Sequence, residues 1–159
     1  MIPTGIITVS DRASRGDYDD LGGPVLREAV TALGWSVLAE VLVPDETARI
    51  QEAIRALAAQ GCHLILTTGG TGIALRDVTP EAIRGIMRVE LPGFGEAMRL
   101  KSFDALPNAI LSRSLAAVVD DSLVIALPGK PQGAVDCLHI VASAIPHTVK
   151  VARRQPTSC

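Results

Sequence analysis

The sequence predicts an α/β fold in which a mostly parallel sheet is covered by helices on both faces. Short apolar runs alternate with amphipathic segments along the 159 residues, which is the pattern of repeated strand–helix units. This length can bury a core without disulfides, so we expect residues 1–159 to form one domain. Three of the apolar runs are typical of strands buried on both faces: Gly5–Val9, His63–Thr68 and Leu123–Leu127.

The first half of the chain alternates two strands with two helices. After the first strand and a polar loop, Pro24 suits the first turn of a helix that ends at Gly34. Trp35–Val43 is strand-like, but its serine and glutamate side chains indicate a more exposed edge of the sheet. A second amphipathic helix follows Thr47, and Gly61 closes it.

The second half continues the alternation with less regular segments. A helix begins at Pro80, and Leu91–Gly95 breaks the chain before a further helix that runs to about Leu106. The last helix is kinked or restarted at Pro146, and the chain from Arg153 onward is expected to be a frayed tail. Two weaker apolar runs, a turn and two core side chains are also predicted here: Ala109–Leu111, Ala116–Val119, Asp120–Ser122, Phe94 and Met98.

Composition excludes several classes of partner. A net charge of −2 gives no reason to expect nucleic acid or an anionic membrane surface, and four aromatic residues are too few for base stacking. No signal peptide or bilayer-spanning run is recognisable, so we expect a soluble cytoplasmic protein. The three cysteines lack metal-ligand spacing and are expected to be reduced: Cys62, Cys137 and Cys159.

Polar or glycine-rich residues directly follow four of the predicted strands. Because the carboxyl ends of parallel strands meet at one edge of a sheet, residues far apart in sequence are expected to converge there. This convergence is stronger support for a binding site than any one motif. The four loops are Ser10-Asp11, Pro44-Asp45, Gly69–Asp77 and Pro128–Pro131.

The stretch Thr67–Ala82, TTGGTGIALRDVTPEA, is the most informative segment. Gly69, Gly70 and Gly72 allow positive φ and close approach of a ligand to the backbone. The N–H groups of such loops form anion-binding nests. Asp77 places a negative charge beside this cradle, which makes a divalent cation the natural partner. The segment therefore predicts a site for a magnesium nucleotide or a phosphate.

Two of the acidic residues near this loop differ in how well a structural role explains them. Pro80 disfavours a helical Thr79, so we expect Thr79 to be the N-cap of the following helix. Asp77 is then left upstream with no structural role, which favours a functional one. Glu81 lies near the positive end of the same helix, and the helix dipole explains it adequately.

Structural interpretations also compete at the first two loops. When Asp45 is considered by itself, a cap of the helix that begins at Glu46 is the favoured interpretation. Ser10 and Asp11 fit an Asx or serine turn as well as they fit ligand contact. A histidine-dependent mechanism has no support, because none of the three histidines adjoins a candidate loop: His63, His139 and His147.

With these segments in order, the chain resembles the molybdopterin adenylyltransferases of molybdenum-cofactor biosynthesis. The resemblance is to the bacterial Mog type of the MoaB/Mog family, which is related to the gephyrin G domain, and it runs from about Ile6 to Leu138. The SDRAS stretch at 10–14 favours the Mog type over the MoaB type. The other motifs are VPDE at 43–46, the glycine loop above, LPGFGEAMR at 91–99, AILSRS at 109–114 and LPGKP at 127–131.

The resemblance implies a three-layer α/β/α sandwich with a mostly parallel central sheet, usually assembled as a homotrimer. It implies binding of Mg²⁺, ATP and molybdopterin, and transfer of AMP to the terminal phosphate of molybdopterin with release of pyrophosphate. A molybdate-inserting partner enzyme would take the product. The implied catalytic and metal-binding residues are Asp45 and Asp77. The expected substrate- and nucleotide-binding residues are Ser10, Asp11, Gly69, Gly70, Thr71, Gly72, Glu81, Ser112, Pro128 and Gly129.

Two departures from the family pattern limit what the resemblance implies. Lys130 stands where family members carry varied residues, so we assign it no catalytic role. The chain from about 138 to 144 lacks an inserted hairpin that some relatives have.

Two other functions stay open on sequence alone: a non-catalytic molybdopterin carrier of the same fold, and an unrelated flavodoxin-like nucleotide or flavin binder.

Overall fold

The computed structural model describes residues 1–158 and contains a six-stranded sheet with helices on both faces. The strands are β1 (Pro3–Val9), β2 (Ser36–Val43), β3 (Leu64–Thr68), β4 (Val89–Glu90), β5 (Ala116–Val119) and β6 (Ser122–Leu127). The α-helices are α1 (Asp11–Ser14), α2 (Gly22–Ala32), α3 (Thr47–Ala59), α4 (Thr79–Arg84), α5 (Pro92–Phe103), α6 (Pro131–Val141) and α7 (Ile145–Ala152). Two 3₁₀ helices cover Pro107–Leu111 and Ala142–Ala144.

The sheet has the order β2-β1-β3-β6-β5-β4. The strands β2, β1, β3 and β6 pair in parallel, whereas β5 and β4 are antiparallel to their neighbours. The predicted mostly parallel sheet is therefore confirmed. All four parallel strands end at the same edge, so the loops that follow them meet there.

Two hydrophobic clusters, one on each face of the sheet, form three layers. Alternate residues of β1 divide between them: Ile6 packs in one cluster and Ile7 in the other. The first cluster joins the sheet to α2, α5, α6 and α7, and the second joins it to α3 and α4. Both faces of the central strands are apolar because both are covered by helices. The predicted three-layer α/β/α sandwich is confirmed.

Local sequence features end the helices and mark the sheet edge as predicted. Gly34 and Gly61 follow α2 and α3 with φ values of 78° and 92°, a backbone region that favours glycine. β2 is an edge strand with alternating partial exposure. Met98 is buried, and Phe94 packs against the same cluster.

Several boundaries differ from the sequence-based prediction. The predicted break at 91–95 is largely the first turn of α5, which begins at Pro92 because proline is tolerated where helix N–H groups have no partner. Thr79 is the first residue of α4 rather than its N-cap, which is Val78. The short helix α1 and the two-residue strand β4 were not predicted. Pro146 lies in the first turn of α7, so the predicted restart of the last helix is confirmed. Residues 138–144 are helical and contain no hairpin, also as predicted.

Cys62 and Cys137 are free, as the sequence predicts, and both are buried. Cys159, for which a reduced thiol is also predicted, lies outside the described residues. Among residues 1–158, no helix combines the length and the apolar character that crossing a bilayer requires.

Candidate functional site

A cavity of about 380 Å³ opens where the four parallel strands end. Each of the four loops contributes to its wall: Ser10 after β1, Asp45 after β2, Gly69 after β3 and Gly129 after β6. The predicted convergence is confirmed. Residues separated by more than one hundred positions in the chain meet because parallel strands place their carboxyl ends together.

Asp45 contacts a neighbouring loop rather than capping a helix. Its Oδ2 accepts a hydrogen bond from the Asp11 N–H at 2.8 Å, and its own N–H donates to Asp11 Oδ1 at 2.9 Å. The N-cap of α3 is Glu46, with no side-chain hydrogen bond, so the capping interpretation is wrong. Burial raises the pKa of the Asp45 carboxyl, and the negative charges of Asp11 and Asp77 add to this.

Asp77 lines the same cavity from the loop after β3. Its Oδ2 accepts a hydrogen bond from the Ala74 N–H at 2.9 Å and so closes a turn. The expectation that Asp77 has no structural role is therefore wrong. One oxygen of the carboxylate accepts the hydrogen bond of this turn. The carboxylates of Asp45 and Asp77 thus share one cavity, as the predicted metal–nucleotide site requires.

The glycine loop needs glycine because other groups surround it closely. Gly69 and Gly70 have φ values of 103° and 68°, in the left-handed region. A Cβ on Gly69 would lie 2.2 Å from the Val9 carbonyl oxygen, and one on Gly70 would lie 2.3 Å from Thr79 Oγ1. The same Gly70 position is 3.1 Å from Asp45 Oδ1. No side chain fits between the loop and the carboxylate.

Thr79 fixes the glycine loop from the start of α4. Its hydroxyl donates to the Gly69 carbonyl at 2.9 Å, and its N–H donates to the Gly70 carbonyl at 3.1 Å. The side chain is fully buried. The sequence analysis assigned Thr79 to helix capping and missed its contact with Gly69, which is ten positions earlier in the chain.

A second, larger cavity of about 520 Å³ adjoins the first, because Gly129 lines both. Apolar side chains such as Met98, Leu106 and Leu111 form part of its wall. The other predicted binding residues lie here: Thr71, Gly72, Ser112 and Pro128. Lys130 also lines this cavity. The glycine loop therefore separates a carboxylate-lined cavity from a largely apolar one.

The remaining predicted site residues have identifiable structural partners. Ser10 lines the first cavity, and its Oγ accepts from the Ala13 N–H at 3.1 Å, which caps α1 and confirms the serine turn. Glu81 lines neither cavity and forms an ion pair with Arg113. Burial would raise the pKa of the Glu81 carboxyl, but its contact with Arg113 lowers it overall. A binding role for Glu81 stays a prediction.

Arg113, to which the sequence analysis gave no role, supports the site from outside the two cavities. Its guanidinium donates to the Gly72 carbonyl at 2.8 Å, to the Asp77 carbonyl at 2.7 Å and to the Glu81 carboxylate. Its own N–H donates to the Thr71 carbonyl at 2.8 Å. Arg113 therefore holds both ends of the loop that carries Asp77. Its occurrence within the AILSRS motif was the available clue.

The residues present fit a magnesium ion shared with a phosphate ligand. Asp45 and Asp77 offer hard oxygen donors from two loops. Burial first, and then the negative charges of Asp11 and Asp77, raise the pKa of the Asp45 carboxyl, and a bound cation would offset both effects. Within residues 1–158, no group of three or more acidic, histidine or cysteine side chains could hold a metal. Magnesium commonly binds one or two carboxylates and completes its shell with phosphate and water.

The fold and this site together define a class of protein. An open sheet whose parallel strands end around a glycine loop and two carboxylates is typical of α/β proteins that bind phosphorylated ligands at the carboxyl edge. The chain belongs to the family described as the probable molybdopterin-binding domain, whose model matches residues 5–147.

Individual relatives agree with this assignment. The chain is 43% identical over 151 residues to the molybdopterin adenylyltransferase of Helicobacter pylori (strain J99), with 93% of this chain and 86% of the relative covered. It is 45% identical over 143 residues to the protein of the same name from Escherichia coli K12, with 88% and 73% covered. The solved structure of the molybdopterin biosynthesis enzyme MoaB from Thermus thermophilus superposes with a TM-score of 0.91 at 41% identity, covering 99% of this chain and 100% of the other. The family resemblance is confirmed, and an unrelated flavodoxin-like binder is not supported.

Proposed function

We propose that this protein is a molybdopterin adenylyltransferase that uses Mg-ATP in molybdenum-cofactor biosynthesis. In this reaction an oxygen of the terminal phosphate of molybdopterin attacks the α-phosphorus of ATP. The bond from that phosphorus to the bridging oxygen breaks, and pyrophosphate leaves with the electron pair. The observation that carries the proposal is that Asp45 and Asp77 line one cavity beside the glycine loop. The names of the relatives support the same reaction.

The chemistry agrees with the residue types at the site. A phosphate monoester has a second pKa of about 6, so the nucleophile is already mostly ionised at neutral pH and needs no general base. None of the three histidines is among the residues that line the two cavities. Nucleotidyl transfer then depends mainly on positioning the two ligands and offsetting charge. Backbone N–H groups of residues 69–72 are suited to holding phosphate oxygens.

The two adjoining cavities suit two ligands. The carboxylate-lined cavity suits a metal-bound triphosphate, and the largely apolar cavity suits a flat heterocycle. Asp45 and Asp77 would hold Mg²⁺, which supplies positive charge to the phosphates when bound. Ser112, Pro128 and Gly129 would contact the second ligand. We further propose that the 159-residue chain acts as one domain, assembles as a homotrimer and passes its product to a molybdate-inserting enzyme.

The proposed activity is tested by incubating the protein with Mg-ATP and molybdopterin and searching for the AMP-bearing pterin by mass spectrometry. We expect product only when metal, ATP and pterin are all present, with pyrophosphate released in equal amount. Binding of molybdopterin without product would identify a non-catalytic carrier and overturn the proposal.

The roles of the two carboxylates are tested by Asp45→Asn and Asp77→Asn, each of which keeps the shape of the side chain and removes its charge. We expect each variant to lose about 10²-fold or more in kcat, because a preorganised charge at the reacting centre is removed. Asp104→Asn is the matched control, since Asp104 is exposed and lines neither cavity. Near-normal transfer by a folded Asp77→Asn variant would defeat the assignment of Asp77 as the principal metal ligand.

A further inference from the structure

Both carboxylate oxygens of Asp11 accept hydrogen bonds from protein groups. Its Oδ1 accepts from the Asp45 N–H and from Arg76 Nη2, each at 2.9 Å, and its Oδ2 accepts from Arg76 Nε at 2.9 Å. The arginine contact is the bidentate fork that guanidinium and carboxylate groups form most favourably. The hydrogen bond of Arg76 accordingly lowers the pKa of the Asp11 carboxyl. Asp11 lines the first cavity, but protein groups take three of the about four acceptor sites of its carboxylate.

The same contacts connect three loops of the site. Asp11 follows β1, Asp45 follows β2, and Arg76 directly precedes Asp77 in the loop after β3. The Asp11 N–H also donates to Asp45 Oδ2, so two reciprocal hydrogen bonds join the first two loops. The ion pair joins the third loop to them. Asp45 and Asp77 are thereby connected through Asp11 and Arg76.

We infer that Asp11 and Arg76 are positioning residues that hold the carboxylates of Asp45 and Asp77 at a fixed separation across the cavity. Asp11 then acts through Asp45 and not as a substrate ligand, which revises the role expected from its sequence. The inference rests on the proposed function only in taking these two carboxylates as the metal-binding pair. The competing role for Arg76 is direct binding of a phosphate through its positive charge.

The test is a double-mutant cycle with Asp11→Asn and Arg76→Gln in the full-length chain. We expect each single variant to lower kcat about 10-fold with the KM for ATP changed less than about 2-fold, because the interaction is lost in the transition state rather than in the bound ground state. The double variant should be no slower than the slower single variant, because either change already breaks the connection. Additive losses with a raised KM for ATP would overturn the inference and assign Arg76 to direct phosphate binding.

Arg76→Lys separates geometry from charge. Lysine keeps the positive charge but cannot form the bidentate fork, so we expect it to behave like the glutamine variant. Recovery of wild-type kcat by lysine would overturn the inference. Arg49→Gln is the matched control, because Arg49 is an exposed residue of α3 that pairs with Glu52 and lines neither cavity. We expect Arg49→Gln to keep wild-type kinetics.

A readout independent of catalysis is the electron paramagnetic resonance spectrum of Mn²⁺ bound to the protein in the presence of ATP and without pterin. We expect Asp11→Asn and Arg76→Gln to change this spectrum in the same way, with the Mn²⁺ affinity changed less than about 2-fold and circular dichroism spectra unchanged, because residues that orient metal ligands affect the surroundings of the metal. An unchanged spectrum of bound Mn²⁺ in both variants would overturn the positioning role. If the wild-type protein transfers no AMP, the proposed function fails, and this measurement still decides the role of the ion pair.

Discussion

Replacing Gly72 with alanine is expected to move the Asp77 carboxylate while leaving the fold intact. A Cβ on Gly72 would lie 2.8 Å from Asp77 Oδ2 and 3.6 Å from its Cγ. The φ of Gly72 lies outside the left-handed region, so alanine can adopt the same backbone. The overlap is with the end of a side chain rather than with backbone. The carboxylate must therefore shift.

The size of the shift sets the expected loss of activity. Ordinary contact begins at 3.4 Å, so Oδ2 must move by about 0.6 Å or turn away from its hydrogen bond with the Ala74 N–H. A displacement of about 1 Å at a reacting centre can cost about 10²-fold in rate. We expect kcat for AMP transfer to fall about 10-fold in Gly72→Ala, since the shift is smaller. Because alanine also restricts the unfolded chain, the free energy of unfolding should change by less than about 1 kcal/mol.

The assay is AMP transfer under saturating Mg-ATP, combined with thermal unfolding of the same samples. Gly93→Ala is the matched control, because nothing lies within 4 Å of the Cβ position at Gly93, in the first turn of α5. We expect this control to keep wild-type kcat. Full activity in Gly72→Ala, with the control also unaffected, would refute the reasoning that the position of Asp77 limits the reaction.

Three further substitutions or measurements test the scaffold. Thr79→Val removes the buried hydroxyl that donates to the Gly69 carbonyl and should lower the free energy of unfolding by about 1–3 kcal/mol in urea titration; no change would mean that the hydrogen bond does not support the glycine loop. Ile54→Ala empties a fully buried position of α3 and should cost about 2–5 kcal/mol in the same titration, with a near-neutral result contradicting the described packing. Cys62 is fully buried, and burial raises the pKa of its thiol, so a thiol reagent should label it only after unfolding, as peptide mass mapping would show; rapid labelling in the native state would contradict its burial.

Hydrophobic periodicity predicted most of the fold because the core consists of the residues that carry that pattern. The run Gly5–Val9 and the helix through Ile54 and Leu57 were identified from local sequence; the run is buried, and the helix buries the face that carries Ile54 and Leu57. The parallel direction of the central strands was also predicted, since strand–helix alternation favours parallel strands, but the strand order was not. Short elements such as β4, with two residues, have too little pattern to be recognised.

The role of each polar side chain was less predictable, because its partners lie far away in sequence. Asp45 resembles a helix cap locally, but its partner is the backbone of Asp11, 34 positions earlier. Thr79 was expected to cap α4 because Pro80 follows it, but proline is tolerated in the first helical turn and the threonine hydroxyl bonds Gly69 instead. Local propensity cannot distinguish these outcomes, since tertiary contacts decide them.

Polar contacts rather than apolar packing determine the position of Asp77. The loop that carries it exposes its large apolar side chains: Ile73 is 71% and Leu75 100% exposed, so burial does not anchor this segment. Two arginines hold it instead, Arg113 through backbone carbonyls on one side and Arg76 through Asp11 on the other. The hydrophobic core therefore brings the four strand ends together. The guanidinium groups of Arg76 and Arg113 then determine where the Asp77 carboxylate lies at this edge of the sheet. Because exposed charge contacts weaken in salt, the geometry of this site should respond to ionic strength more than the stability of the sheet does.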